Sequence, residues 1–247
     1  MSSDEGPSNS WVNLVLAITE AAGQLATGIH QVVGPRWNSL AGQTAFQDMA
    51  GGVERLAKIT GGLWFEEEHG RYPSDKEAAK GYHDIKALVE KVQVGIEDRA
   101  TAAGKSYIVS LCKALRDDDN WPMLVEMLNT AADATTGRYR QTAIMGGKDL
   151  SGTPSAYQLW EAIEHDVITD LGLWGSIADI SSFGQGPSDS LIRARGVTLH
   201  PLLRWWHLVY RAWQHGLAGP RSQRFSTEIG LEFEQLPDEL KRFVEGL

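Results

Sequence analysis

Leu199-His-Pro-Leu-Leu-Arg-Trp-Trp-His-Leu-Val-Tyr-Arg-Ala-Trp-Gln-His-Gly-Leu217 sorts its residues at helical spacing. At about 100° per residue, Leu199, Leu202, Trp206, Val209, Trp213 and Leu217 gather on one side of a helix. His200, Arg204, His207, Arg211 and His215 fall in a sector of about 80° on the other. The pattern predicts an amphipathic helix over about 199–217 with an apolar face and an Arg/His ridge. Trp206 and Trp213 belong to the apolar side, whereas Trp205 lies near the boundary, where an indole could stack on a base, an Arg or a partner side chain.

The same period recurs along the chain. Leu14, Val15, Ile18, Leu25, Ile29 and Val32 repeat at three and four residues after a Ser10 cap, and Ala17, Ala21, Ala22 and Ala26 permit close helix contact. Gly34-Pro35 ends that stretch, and a second runs from about Ser39 to Thr60 before Gly61-Gly62. Ser74-Asp75-Lys76-Glu77 reads as a capping box opening a long helix through Tyr82, Ile85, Leu88, Val89, Val92 and Ile96. Further helices are expected over Tyr107–Arg116, after the acidic Asp117-Asp118-Asp119 at Trp121-Pro122, after Thr153-Pro154, and from Leu236-Pro-Asp-Glu-Leu onward. No period-two strand run and no repeat is found. The expectation is an all-α, single-domain bundle of roughly seven to eight helices over residues 10–247, with residues 1–9 as a disordered N-terminal tail.

The 247 residues are 42% apolar and 22% charged, the composition of a chain that buries a core. A net charge of −9 argues against coating nucleic acid over the whole surface, so any such contact must be local. The lone Cys112 cannot form an intrachain disulfide or a Cys-based zinc site, and no cofactor fingerprint is present. Polar residues Asn13, Glu20, Gln24, His30 and Gln31 interrupt the apolar segment Trp11–Val33, so a cytoplasmic protein with neither signal peptide nor membrane span is expected.

Residues 190–227 contain no Asp or Glu but hold Arg193, Arg195, Arg204, Arg211, Arg221 and Arg224, leaving −15 on the other 209 residues. Arginine binds phosphate or carboxylate as a planar fork, and histidine can add charge near neutrality. The ridge residues Arg204, His207, Arg211 and His215, with Trp205, therefore suit an anionic partner, either nucleic acid within an assembly or an acidic protein. Arg138 and Arg140, flanking Tyr139 in a Gly-rich connection over 137–153, would extend such a surface. The chain would then be a non-enzymatic subunit or adaptor, in an oligomer or complex. The competing reading is that the basic face pairs inside the bundle with acids such as Glu66 to Glu68.

Two chemical alternatives accompany this. Arg195-Gly-Val-Thr-Leu-His200 resembles the Arg-x4–6-His motif of HEPN ribonucleases, which are all-helical. The resemblance implies a metal-independent site at a dimer interface, where His200 would help activate a ribose 2′-hydroxyl and Arg195 would stabilise the charged phosphate. Pro201 places the start of the His200 helix near Thr198, with Arg195 outside it. Glu66-Glu67-Glu68-His69 and the Glu161/His165 pair have spacings seen in helical metal or small-molecule sites, although a di-metal centre needs two Glu-x-x-His motifs. No metal ligand set is assigned. Gly104-Lys105-Ser106 resembles the end of a phosphate-binding loop, but Arg99 stands where its first Gly belongs, which favours a turn between helices.

Overall fold

The computed structural model describes residues 7–34, 37, 39–78, 84–133, 136–137, 145–147, 150–178, 188–231 and 236–247. Among them all regular structure is helical: α1 Pro7–Val33, α2 Ser39–His69, α3 Asp75–Ala78, α4 Ile85–Ala102, α5 Ser106–Arg116, α6 Trp121–Ala132, α7 Ala156–Asp170, α8 Trp174–Ala178, α9 Asp189–Thr198, α10 His200–Gln214, α11 Ser222–Leu231 and α12 Asp238–Glu245. The all-α class stands. The helices outnumber the seven or eight expected, because single turns such as α3 and α8 and the break between α9 and α10 carry too few residues to show a period.

α1 and α2 form a long antiparallel pair. Gly28 of α1 lies against the Ala45 carbonyl and Met49, and Gly52 of α2 against Ala21 and Leu25, so small residues let the two backbones approach closely. α1 starts at Pro7, before the expected Ser10 cap. By length and composition its Trp11–Val33 stretch is apolar enough to cross a membrane, contrary to the expectation from its polar interruptions. In the fold, Ile18, Leu25, Ile29 and Val32 of that stretch are completely buried.

Two helix boundaries differ from the sequence reading. α2 continues through Gly61-Gly62 to His69, because Leu63 and Trp64 are buried beyond the glycines and the Trp64 indole N–H donates to the Leu217 carbonyl at 2.8 Å. Burial of those two side chains outweighs a helix penalty of about 1 kcal/mol per Gly. Half of the Ser74–Glu77 box forms: the Glu77 carboxylate accepts from the Ser74 amide, while the Ser74 hydroxyl also donates to that carboxylate. Among the described residues it opens α3, Tyr82 lies outside them, and the long helix starts afresh at Ile85, where the Asp84 carboxylate accepts the Ala87 amide at 3.0 Å. The expected start after Thr153-Pro154 is realised at Ser155, which makes a reciprocal capping box with Gln158.

α10 lies at the centre, packed against α4, α5, α6, α9, α11 and α12, while α2 gathers α1, α4, α6 and α7. Trp160, Trp205, Trp206 and Trp213 are fully buried in the one large apolar cluster that results. The Trp213 indole N–H donates to Thr60 Oγ1 at 3.1 Å, tying α10 to α2. Because α10 is covered by helices on several sides, its polar ridge meets protein along most of its length.

Candidate functional site

Positions 200, 204, 207 and 211 follow one another around successive turns of α10, with His215 just past its last residue, and the helices facing them are α5 and α12. His200 stacks flat on Phe243 of α12, ring centroids 3.7 Å apart at 4°. The Arg204 guanidinium covers the other end of this pair, 5.7 Å from the Phe243 ring, and its Nη1 donates to Asp118 Oδ2 at 3.0 Å. His207 is 9% exposed, and its Nε2 shares a 3.1 Å hydrogen bond with the Tyr107 hydroxyl of α5. Arg211 lies over the Tyr107 ring at 5.5 Å and donates through Nη1 to Gln214 Oε1 at 2.9 Å.

Burial, reinforced by the neighbouring arginine, sets the charge of the ridge. His200 is pushed down to about 4 by desolvation and then by Arg204, and His207 to about 4 by desolvation and then by Arg211. Both imidazoles are therefore neutral near pH 7. His215 is exposed, and its pKa is lowered by partial burial and then by the cations Arg211 and Lys105. The ridge is thus an Arg/aromatic seam in which histidine acts as a neutral, stacking and hydrogen-bonding side chain.

The seam opens to solvent at its C-terminal end. There Gly104 takes φ +66, which turns the chain from α4 into α5. α5 begins behind Lys105, with no side chain capping its first amides. Lys105, Ser106, Tyr107 and His215 are exposed around Arg211. An uncapped helix N-terminus beside two cations is a favourable place for negative charge.

The remaining candidates lie elsewhere. Trp205 is completely buried and has no face left for stacking on a partner. Arg195 sits on α9, 5% exposed, and points to α7: its Nε donates to Glu164 Oε1 at 2.8 Å, its guanidinium lies 5.3 Å over the Trp37 ring, and its buried Nη1 has no hydrogen-bond partner among the described residues. His200, on the next helix, faces α12, so the pair from the ribonuclease-like spacing is divided between two different sets of neighbours. Arg138 and Arg140 lie outside the described residues.

Among the metal candidates, Glu66 pairs with Arg221, Glu67 with Arg99, His69 stacks on Phe65 at 4.0 Å, and His165 contacts Asp166 at 3.5 Å. Among the described residues no three His, Cys, Asp or Glu side chains converge as a metal site would require. Sequence reasoning did not place Lys105, Tyr107, Asp118 or Phe243 at the seam. The Gly-Lys-Ser turn was visible as a motif, but Asp118 meets Arg204 across 86 positions, a pairing that only the fold creates. Compared with protein-family models, curated proteins and solved structures, the chain has no match in any of the three.

Proposed function

We propose that this protein is a non-enzymatic helical subunit or adaptor that holds an acidic segment of a partner protein at the open end of the α10 seam. Lys105 and Arg211 would supply the charge, the α5 N-terminus its free amides, and Tyr107 and His215 the flanking surface. One observation carries the reading. Arg195, Arg204 and Arg221 are each matched by a carboxylate, whereas Arg211 is held by the neutral Gln214 and Tyr107 with a second cation near it. A site with two cations fits a few carboxylates. A nucleic acid strand would carry its regular phosphates onto a surface whose overall charge is −9.

The test is fluorescence anisotropy with a labelled glutamate-rich peptide and, separately, a labelled single-stranded RNA, at low and raised salt. The peptide is expected to bind and to leave as salt rises. Arg211→Gln combined with Lys105→Gln should weaken it about tenfold, the sum of two exposed charge contacts. Preferential RNA binding through the same two residues would replace the acidic peptide by nucleic acid. Equal peptide affinity for wild type and the double variant would overturn the site.

A further inference from the structure

Between α2 and α4 lies a cavity of about 510 Å³, far from the α10 seam in its lining and within the size that holds a small organic ligand. After α2 the chain turns at Gly70, φ +69, and doubles back so that Tyr72 rests on Gly62 while Pro73 and Glu77 edge the opening. Arg71 donates to both oxygens of Glu77 at 2.8 Å, fixing this strap. The walls are mainly apolar, with Phe65, Leu88 and Val92 among them.

Three glycines in the lining do different work. A Cβ on Gly62 would come within 3.1 Å of the Tyr72 ring, and one on Gly95 within 2.6 Å of the Trp64 ring, so Gly62 seats the strap and Gly95 the Trp64 wall. A Cβ on Gly61 would meet nothing within 4 Å. That position faces the open space itself.

The rim charges decide what could enter. Lys58 is paired with Glu54, Arg99 with Glu67 and Glu68, and Glu77 with Arg71. Lys91, exposed and one helical turn before Gly95, has no ion-pair partner among the described residues. The rim as a whole, Lys91 included, carries no net charge, because Glu68 shares Arg99 with Glu67. Lys91 is nonetheless the ammonium of the lining that no described carboxylate pairs, and an apolar enclosure with that group at its edge suits a ligand with an apolar body and a single negative end. We propose that the α2–α4 groove binds an apolar monocarboxylate, with the hydrocarbon or aryl body over Gly61 and the carboxylate at Lys91.

Calorimetric titration of the full chain with decanoate tests this against decanol and decyltrimethylammonium, which keep the tail and remove or invert the charge. Decanoate is expected to bind one site, with the cation at least tenfold weaker. Gly61→Leu, whose side chain would project into the groove, should reduce decanoate affinity at least tenfold, and Lys91→Gln should bring decanoate and decanol close to the same affinity. Val94→Glu, at an edge position already 51% exposed, adds a repelling charge without burying anything and serves if Gly61→Leu fails to fold. No decanoate binding, equal binding of anion and cation, or an affinity unchanged by both Gly61→Leu and Val94→Glu would overturn the proposal.

Discussion

Gly23 and Gly52 sit on the paired helices α1 and α2, and the same substitution to Ala should act on them with opposite sign. Relative to Gly, an Ala in a helix interior lowers the entropy lost on folding and favours the folded state by about 0.5–1 kcal/mol. At Gly23 nothing lies within 4 Å of the added Cβ, so Gly23→Ala keeps that gain. At Gly52 the Cβ would stand 2.7 Å from the Ala21 carbonyl oxygen, 2.8 Å from the Leu25 amide nitrogen and 2.9 Å from Leu25 Cβ. None of these atoms can swing aside as a long side chain would, so α1 and α2 must separate by roughly half an ångström, enough to forfeit a quarter or more of each close contact along the seam. Overpacking of this kind costs about 1–3 kcal/mol, and its rigid neighbours put Gly52 at the upper end. After the propensity gain, Gly52→Ala should lose about 1–2 kcal/mol, which separates the two variants by about 2–3 kcal/mol, or roughly 5–10 °C in Tm for a chain of this size. Thermal and urea melts followed by far-UV circular dichroism read the difference. If Gly52→Ala melts at or above Gly23→Ala, the helices do not approach where these distances place them.

Arg195→Met should destabilise by about 3 kcal/mol, the lower end for breaking a buried pair, because the half-buried Glu164 is left without its cation, while Arg195→Met with Glu164→Leu should recover most of that loss. A denaturation cycle in which the double variant is no better than the single one would refute this account of the pair. His207 is held near 4 when folded against an ordinary 6.5, so between those values the unfolded chain binds the extra proton. Its contribution is complete above 6.5 and is lost as pH falls toward 4, by about 2–3 kcal/mol. Stability measured over that window should slope upward with pH in the wild type and more shallowly in His207→Gln; equal slopes would contradict the burial. Burial also pushes the Cys112 thiol up to about 12, so a thiol-reactive disulfide reagent should label it only at the rate of unfolding, and labelling of the native chain as fast as a free thiol would contradict that environment.

The helical class was legible because long stripes such as Ile85, Leu88, Val89, Val92 and Ile96 are buried as their spacing demands. Ends were less legible, since local signals compete with packing that lies far away in sequence. Gly61-Gly62 reads as a stop, yet Trp64 reaches Leu217 across 153 positions and carries α2 onward. Glu77 accepts the Ser74 amide as a capping box requires, yet its carboxylate is also held by Arg71 and the Ser74 hydroxyl, so these bonds secure a strap. The ridge on α10 was legible as a pattern of residue types but not in its surroundings. A helical wheel divides a helix into one wet and one dry side, whereas α10 is packed by helices on several sides, so Trp205 at the supposed boundary is as buried as Trp206.

That central position also accounts for much of the uneven charge along the chain. Arg195, Arg204 and Arg221 come from the segment without acids, and their partners Glu164, Asp118 and Glu66 come from α7, the turn before α6, and α2. Acids placed within the 190–227 segment would satisfy these arginines locally. With the acids elsewhere, each arginine ties its own helix or the loop that follows it to a distant part of the fold. Such links cost desolvation and add little net stability, but a slipped helix would strand a partly buried charge, so they favour one packing register over its neighbours. The same reasoning limits what the α10 ridge can present outside, while Arg193 and Arg224 of the segment are exposed on α9 and α11. An arginine committed to an internal carboxylate is largely neutralised at the surface, which leaves the Arg211 end of the seam, beside Lys105 and the first turn of α5, as the place where residues of this ridge meet solvent with positive charge still unspent.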